Sequence, residues 1–402
     1  MAKSKSVQLI ITTAFGLESL AARELRALGY EDLTVFNGGI TFRGDYTAIA
    51  RCNLWLRTAD RVLVCVGRFK ALSFEELFEQ TKALPWEDWI PEDGEFPVIG
   101  KSVHSQLFSV PDCQAIVKKA IVEKLKQKYQ VHWFQETGAF YRVQVALLKD
   151  EATLTIDTSG SGLNKRGYRQ LTAAAPLKET LAAAMIQISR WKPDRALIDP
   201  FCGSGTIPIE AALIGRNIAP GIQREFAAEK WPQIPSSVWE KAREEAFDSI
   251  RHNQPLGIFG FDIDPDVLSL ARYHAKKAGF GLDKDLNFQQ QDVRNLRSHY
   301  QYGYIISNPP YGERLMDKRA AEALYQSLPE VFEQLPTWSV YLICSHPEFE
   351  QFIGRKADKR RKLYNGRILC QYYQFYGPKP SQLKGPFAIP EENGPGPLST
   401  PR

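Results

Sequence analysis

RALIDPFCGSGT, residues 195–206, runs from an apolar strand, RALI, through an acidic residue and a Gly-rich turn into the start of a helix. Glycines in such a turn let the backbone pass close to a bound small molecule, and the helix start offers free N–H groups. A dinucleotide site would carry GxGxxG, with pyrophosphate at the helix start. This stretch has neither that spacing nor a lysine, and Asp199 closes the strand. An acid there suits a ligand with a positive amino group. Asp199, Pro200, Phe201, Cys202, Gly203, Ser204, Gly205 and Thr206 are therefore candidate ligand-binding residues, with Cys202 read as a small packed side chain and not as a nucleophile.

Around this stretch the chain alternates helices and apolar strands: helix 177–190, strand 195–199, helix 205–215, strand 257–262, helix 265–278, strand 286–290, strand 302–307, helix 318–335 and strand 338–344. Strands separated by helices predict a parallel, doubly wound sheet. Residues 360–376, with Asn365-Gly366 inside them, predict a terminal antiparallel hairpin. Asp262, in Gly260-Phe261-Asp262-Ile263-Asp264, ends the second strand of this sheet and can accept both hydroxyls of a ribose. Asp264 reads as the cap of the next helix. Asp292, in Gln290-Gln291-Asp292-Val293, follows the third strand and is placed to accept from an adenine amino group. Acids at successive strand ends point to an adenosine pocket along the carboxyl edge of the sheet. The interval from Asp199 to Asp262 is too long for a usual crossover, so 216–255 reads as an insertion carrying Trp231, Trp239 and a helix at 237–251.

Ser307-Asn308-Pro309-Pro310-Tyr311-Gly312 follows the apolar strand 302–306. Two consecutive prolines fix the chain and remove two N–H donors. A carbonyl and the Asn308 amide oxygen are left to accept hydrogen bonds, and Tyr311 supplies a flat face. Two acceptors and a stacking ring fit a planar substrate bearing an exocyclic NH2 group. Asn308, Pro309, Pro310 and Tyr311 are the candidate catalytic residues.

Upstream, strand 7–13, helix 16–28, strands 33–36 and 40–43 joined through Asn37-Gly38-Gly39, helix 46–56 capped by Asp45, and strand 60–69 give the order β-α-β-β-α-β of a ferredoxin-like unit. Residues 70–160 hold a second small α/β region, with helices near 73–82 and 112–128 and strands at 95–103, 140–148 and 152–158. Its second helix is Lys-rich, which by itself describes a solvated face. Residues 159–176 read as a linker with a basic centre at Lys165, Arg166 and Arg169, and 377–402 as a Pro/Gly-rich tail unable to bury a core.

The whole chain bounds these readings. Its 402 residues suggest two or three domains, and 44% hydrophobic with 24% charged residues is ordinary for a globular protein. A net charge of +5 says nothing of nucleic acid unless it clusters. The six cysteines form no CxxC pair and the histidines have no ligand spacing, so neither a metal site nor a disulfide framework is expected. The start of the chain lacks a secretory apolar run and no stretch approaches a spanning helix, which makes a reduced cytoplasmic compartment the simplest expectation.

DPFCGSGT, GFDID, QQD and NPPY, in that order, resemble a class I S-adenosylmethionine-dependent amino-methyltransferase. With KRGYRQLTAAAPLKETLAA (165–183), NIAPGIQREFAAEKW (217–231) and the N-terminal 160 residues, the chain resembles the THUMP-domain RNA methyltransferases, in particular the large-subunit ribosomal RNA guanine-N2 methyltransferase family in its single-methyltransferase-domain form. The resemblance implies a ferredoxin-like domain at 1–69, a THUMP RNA-binding domain at 70–160, a Rossmann-like methyltransferase domain at 161–376, and the tail. It implies S-adenosylmethionine as cofactor, its methionine end at 199–206, its ribose at Asp262 beside Ile263, its adenine at Asp292 beside Val293, and Asn308 at the border of cofactor and base. Structured RNA is the implied partner, ribosomal RNA before tRNA, with Lys118, Lys119, Lys165, Arg166 and Arg169 as implied contacts and Arg355–Lys362 as a further basic run. A tRNA guanine-N2 methyltransferase, a DNA adenine methyltransferase and a non-catalytic RNA-binding protein remain as alternatives.

Overall fold

The computed structural model describes residues 6–171, 177–282, 285–311 and 317–379. The end of the basic linker (172–176), Gly312 of the NPPYG string and all but the first few residues of the Pro/Gly-rich tail lie outside the described residues. The chain forms two compact units, one of residues 1–166 with 219–249 and one of 167–218 with 250–402.

In the first unit β1 (Val7–Thr13), β2 (Thr34–Phe36), β3 (Gly39–Gly44) and β4 (Ala59–Lys70), with helices α1 (Glu18–Ala27) and α2 (Tyr46–Trp55), make the ferredoxin-like part. The sequence places these elements where polar and Gly-rich residues interrupt the apolar pattern. Gly38, at φ +86°, turns β2 into β3, and the Asp45 carboxylate accepts from Ala48 N–H to start α2. The THUMP part holds α3 (Phe74–Lys82), β5 (Val98–Val103), α4 (Val110–Tyr129), β6 (Val143–Leu148) and β7 (Glu151–Asp157). The two parts share one sheet. The long strand β4 pairs antiparallel with β1 and with β7, giving the seven-stranded order β2-β3-β1-β4-β7-β6-β5.

The inserted segment belongs to this same unit. Trp231 is buried, stacks on Tyr141 at 4.7 Å between ring centroids, meets Trp89 edge-on at 6.1 Å, and donates its indole N–H to the Phe140 carbonyl. Phe226 stacks on Trp239 of α7 (Ser236–Asp248). Arg224 donates to the carbonyls of Ser159, Ser161, Gly162 and Lys165, clamping the chain that leaves β7.

In the second unit β8 (Leu197–Asp199), β9 (Ile258–Asp262), β10 (Asn287–Gln290), β11 (Tyr304–Ser307), β12 (Ser339–Cys344), β13 (Lys359–Asn365) and β14 (Ile368–Phe375) lie in the order β10-β9-β8-β11-β12-β14-β13. The first five are parallel; β14 runs antiparallel to β12 and pairs with β13. Helices α5 (Glu179–Ser189), α6 (Thr206–Gly215), α8 (Pro265–Lys277), α9 (Lys318–Glu333) and the short α10 (Phe349–Ile353) complete the Rossmann-like domain. Asp264 caps α8 by accepting from Asp266 N–H at 2.8 Å, with Pro265 at the first helical position. The strand order reverses between β8 and β11, which makes the carboxyl ends of β8, β9, β10 and β11 the place where such a sheet binds ligands. Among the described residues no helix is long and apolar enough to cross a membrane.

Because Trp231 fills the first unit's core, Trp231→Ala should lower its stability by roughly 3–5 kcal/mol, read from the denaturant midpoint of the full chain. A loss under about 1 kcal/mol would mean that the insertion is not part of that core.

Candidate functional site

The Gly-rich turn is held from several sides. Cys202 N–H donates to the Phe261 carbonyl at 2.9 Å, and Gly203 N–H donates to Asp262 Oδ2 at 2.9 Å. The Ser204 carbonyl lies 3.2 Å from Nδ1 of the buried His274. Gly205 stands at φ +84° as the N-cap of α6, and a Cβ there would press on Ala271 and Phe288 at about 3 Å. Gly203, at φ +50°, would have a Cβ in open space, although Cys202 and Ser204 beside it are buried. The α6 start carries no side-chain cap. Pro200 is buried, and Phe201 is half-buried with its N–H on Asp199 Oδ1. Burial pushes the Cys202 thiol well up, so it is a packed side chain.

Asp199 ends β8 almost fully buried. Its Oδ1 accepts from the Ser307 hydroxyl at the end of β11 and from Phe201 N–H. No basic side chain pairs with it among the described residues. Burial pushes its carboxyl up to about 7; the two donors pull it down and the nearby Asp262 charge raises it further. Asp262 uses one oxygen for Gly203 N–H and the other for Asp264 N–H, at 3.1 Å. Each oxygen keeps a second acceptor site. Ile263 beside it is exposed. Asp292 accepts from the backbone N–H and guanidinium of Arg294, which hold its carboxyl below the usual range. Val293 next to it is buried. Asp199, Asp262 and Asp292 thus stand at or just past the ends of adjacent strands β8, β9 and β10.

The Asn308–Pro310 stretch offers the Asn308 side-chain oxygen and its backbone carbonyls as acceptors. Asn308 Oδ1 takes the Tyr311 hydroxyl and the Pro310 carbonyl takes the Tyr325 hydroxyl. The Pro309 carbonyl has no partner among the described residues. The sequence predicts a flat stacking face at Tyr311. Here the half-buried ring packs against the apolar cluster around Ile305 and Leu342, and burial pushes its phenol well up. Its hydroxyl reaches back to Asn308, and Cys344, Asn365 and Cys370 from β12, β13 and β14 lie near the phenol.

The basic residues separate into two kinds. Lys119 and Lys165 are exposed. Lys118 is half-buried, pairs with Glu136 at 2.6 Å and lies over the Phe96 ring. Arg166 is a correction to the expected RNA contacts: it is 3% exposed and donates to the Leu163 and Arg57 carbonyls. Arg169 bonds the Thr206 hydroxyl and the Leu177 carbonyl and pairs with Glu179 at 3.3 Å, so it braces the start of α6. The run 355–362 enters the edge strand β13, with Arg355 on Asp358 and Arg360 on Glu350. Sequence reasoning missed Ser307, Arg169 and His274 as supports of the turn. Ser307 stood in the quoted motif; the other two had no local signal. Among the described residues no group of His, Cys, Asp or Glu is gathered to hold a metal ion.

This sheet, its switch point and the acids along its carboxyl edge define a class I methyltransferase. The family comparisons agree: residues 166–374 match the RMKL-like methyltransferase domain, 8–63 the RlmL ferredoxin-like domain and 71–157 the THUMP domain. The chain belongs to the RMKL-like methyltransferase family and is an RNA methyltransferase of the RlmL/RMKL type that uses S-adenosylmethionine. It is 53% identical to "Putative RNA methyltransferase YpsC" of Bacillus subtilis (strain 168), over 94% of this chain and 98% of that one. It is similar to a structure described as "a predicted N6-adenine-specific DNA methylase from Listeria monocytogenes str. 4b F2365", at TM-score 0.89 and 54% identity over 93% and 97% of the two chains. A third relative, "SMU.472, a putative methyltransferase complexed with SAH", has TM-score 0.89 and 44% identity over 94% and 100%.

The residues present fit that cofactor. A buried carboxyl with no cation against it among the described residues complements an ammonium group, and the uncapped α6 start with open space at Gly203 leaves room beside it. Since the carboxyl is raised in the folded protein, its contribution to stability is present below the ordinary carboxylate range and is lost as pH rises through about 7. An ammonium placed against it reverses this by favouring the ionised form. S-adenosylmethionine binding should therefore tighten about tenfold between pH 5.5 and 7, with proton release on binding. Calorimetry in two buffers of different ionisation enthalpy checks this; a flat profile that Asp199→Asn leaves unaltered would remove Asp199 from the ammonium site.

Proposed function

We propose that the protein transfers a methyl group from S-adenosylmethionine to the exocyclic N2 of a guanine in RNA, in large-subunit ribosomal RNA, within the cytoplasm. The observation that carries this reading is the Ser307–Asp199 hydrogen bond, which ties the Asn308-Pro309-Pro310 acceptors to the end of the cofactor strand. When bound, the cofactor supplies an electrophilic methyl group. The chain's own residues bind and orient. The turn 199–206 receives the methionine end, with Asp199 on its ammonium. Asp262 accepts the ribose hydroxyls through its remaining lone pairs, beside Ile263. Asp292 and Val293 receive the adenine.

The guanine amino lone pair is conjugated into the ring, which makes it a poor nucleophile. Asn308 Oδ1 and the Pro309 carbonyl accept its two N–H bonds, favour pyramidalisation and aim the lone pair. The gain is proximity and orientation. The base must leave its helix to reach this place. Its arrival displaces the Tyr311 hydroxyl from Asn308 and frees the ring to stack, with Pro310 fixing the turn. The THUMP domain and the RlmL-type N-terminal part favour RNA over the DNA substrate named for the Listeria relative. Exposed Lys119 and Lys165 are the phosphate contacts favoured by their exposure.

Asn308→Ala should abolish single-turnover transfer while leaving cofactor affinity within about twofold. Asp262→Ala should cost on the order of 2–4 kcal/mol of cofactor binding. Transfer by Asn308→Ala within about tenfold of wild type, ~1.4 kcal/mol in barrier, contradicts the loop's role. Nucleoside mass spectrometry of ribosomal RNA and tRNA from a strain lacking the protein should show one N2-methylguanosine missing from the large subunit. Its loss from tRNA would reassign the RNA, and loss of N6-methyladenine in its place would overturn the base.

A further inference from the structure

We propose that Tyr325 is a positioning residue of the Asn308–Tyr311 loop, setting which of its acceptors remains open to the base. This rests on the reading of that loop as the amino-group acceptor.

Tyr325 lies on α9, wholly buried, and its hydroxyl donates to the Pro310 carbonyl. Two successive prolines have no N–H to anchor the loop by sheet pairing. Its carbonyls and the Asn308 amide must therefore fix its orientation. Among the described residues the Asn308 side-chain oxygen is bonded to Tyr311, a neighbour within the same loop. The Pro309 carbonyl is open among the described residues. The tether from Pro310 to Tyr325 thus ties this stretch to a separate element, and it occupies a carbonyl that is not offered to substrate.

The anchor is itself held rigidly. Phe349 meets the Tyr325 ring edge-on at 5.1 Å, His346 does so at 6.1 Å, and Phe352 lies at 6.1 Å. The Cys344 thiol, at the end of β12, lies 3.6 Å from the phenol oxygen and donates to it. His346 N–H points at the same sulfur at 3.3 Å, and the His346 ring contacts Glu322 on α9 at 3.2 Å. Burial pushes the Tyr325 phenol far above its ordinary value, so it remains a donor throughout the working pH range. The chain from Cys344 through Tyr325 to Pro310 connects the end of β12 to the loop after β11, its neighbour in the sheet.

Tyr325→Phe removes the donor and keeps the ring. The single-turnover rate should fall about 10- to 100-fold, with the S-adenosylmethionine Kd and the RNA KM within about threefold of wild type. Tyr325→4-aminophenylalanine keeps a donor at that place and should transfer within about threefold of wild type. Phe349→Leu loosens packing on the same ring but keeps the hydroxyl; it should lower the denaturation midpoint more than the rate. A Tyr325→Phe rate within about twofold of wild type overturns the proposal, and so does a 4-aminophenylalanine variant as slow as Tyr325→Phe. Equal rate losses in Tyr325→Phe and Phe349→Leu also overturn it, since stability alone would then explain the effect. Asn308→Ala separates the two readings. If it remains active the loop's assignment fails, whereas an inactive Asn308→Ala beside a fully active Tyr325→Phe removes only Tyr325.

Discussion

The Ser307 hydroxyl and the Asp199 carboxylate meet between the ends of two adjacent parallel strands, in a place that water does not reach. The geometry of the catalytic domain depends on that meeting. Neighbouring strands lie about 4.8 Å apart, close enough for one serine to reach across, and Ser307 is directly followed by Asn308. A buried carboxylate is costly unless donors satisfy it. Ser307 and the Phe201 N–H supply two, yet the carboxyl still stands near 7. Among the described residues no positive charge meets it, and the ammonium group of a bound cofactor would supply one. The same residue therefore orders the protein and requires its cofactor.

The turn between β8 and α6 is slung between polar tethers that come from other elements. Asp262 holds Gly203 from β9, His274 faces the Ser204 carbonyl from α8, and Arg169 bonds the Thr206 hydroxyl from the linker. None of them caps the first turn of α6 with a side chain. The backbone is thus fixed while N–H groups at the helix start stay available to a ligand, which is how a helix N-terminus becomes a binding site.

Much of this was legible locally. The parallel strands of the second unit are short apolar runs ended by acids or Gly-rich turns, and the structure puts their ends within a residue or two of the pattern, as in Ile258–Asp262 and Ser339–Cys344. The hidden parts are non-local. Nothing in residues 59–70 announces that one strand joins the two parts into a single sheet, because its second partner, β7, lies far along the chain. The inserted segment reads as an interruption of the catalytic domain, since its large aromatic residues, Trp231 and Trp239 among them, do not say against what they pack. Their partners, Tyr141 and Trp89 among them, belong to the first unit. The resting place of Tyr311 is hidden for a related reason: a motif shows which groups are present, and only the packed structure shows where a ring rests.

Charge carries the same lesson further. Arginine and lysine count alike in a sequence, but the planar, multiply donating guanidinium bonds carbonyls and carboxylates that an ammonium on a flexible stem leaves alone. Arg166, Arg169, Arg224 and Arg243 all donate to backbone carbonyls. For Arg224 burial is deep enough to lower the guanidinium to about 10, with Arg166 and Arg61 nearby adding to the effect. These cations close loops and cannot also neutralise phosphate. A basic run in a linker is therefore weak support for an RNA contact until each residue's partners are known. Lys119 and Lys165 are exposed, whereas Arg166 and Arg169 are bonded into the fold.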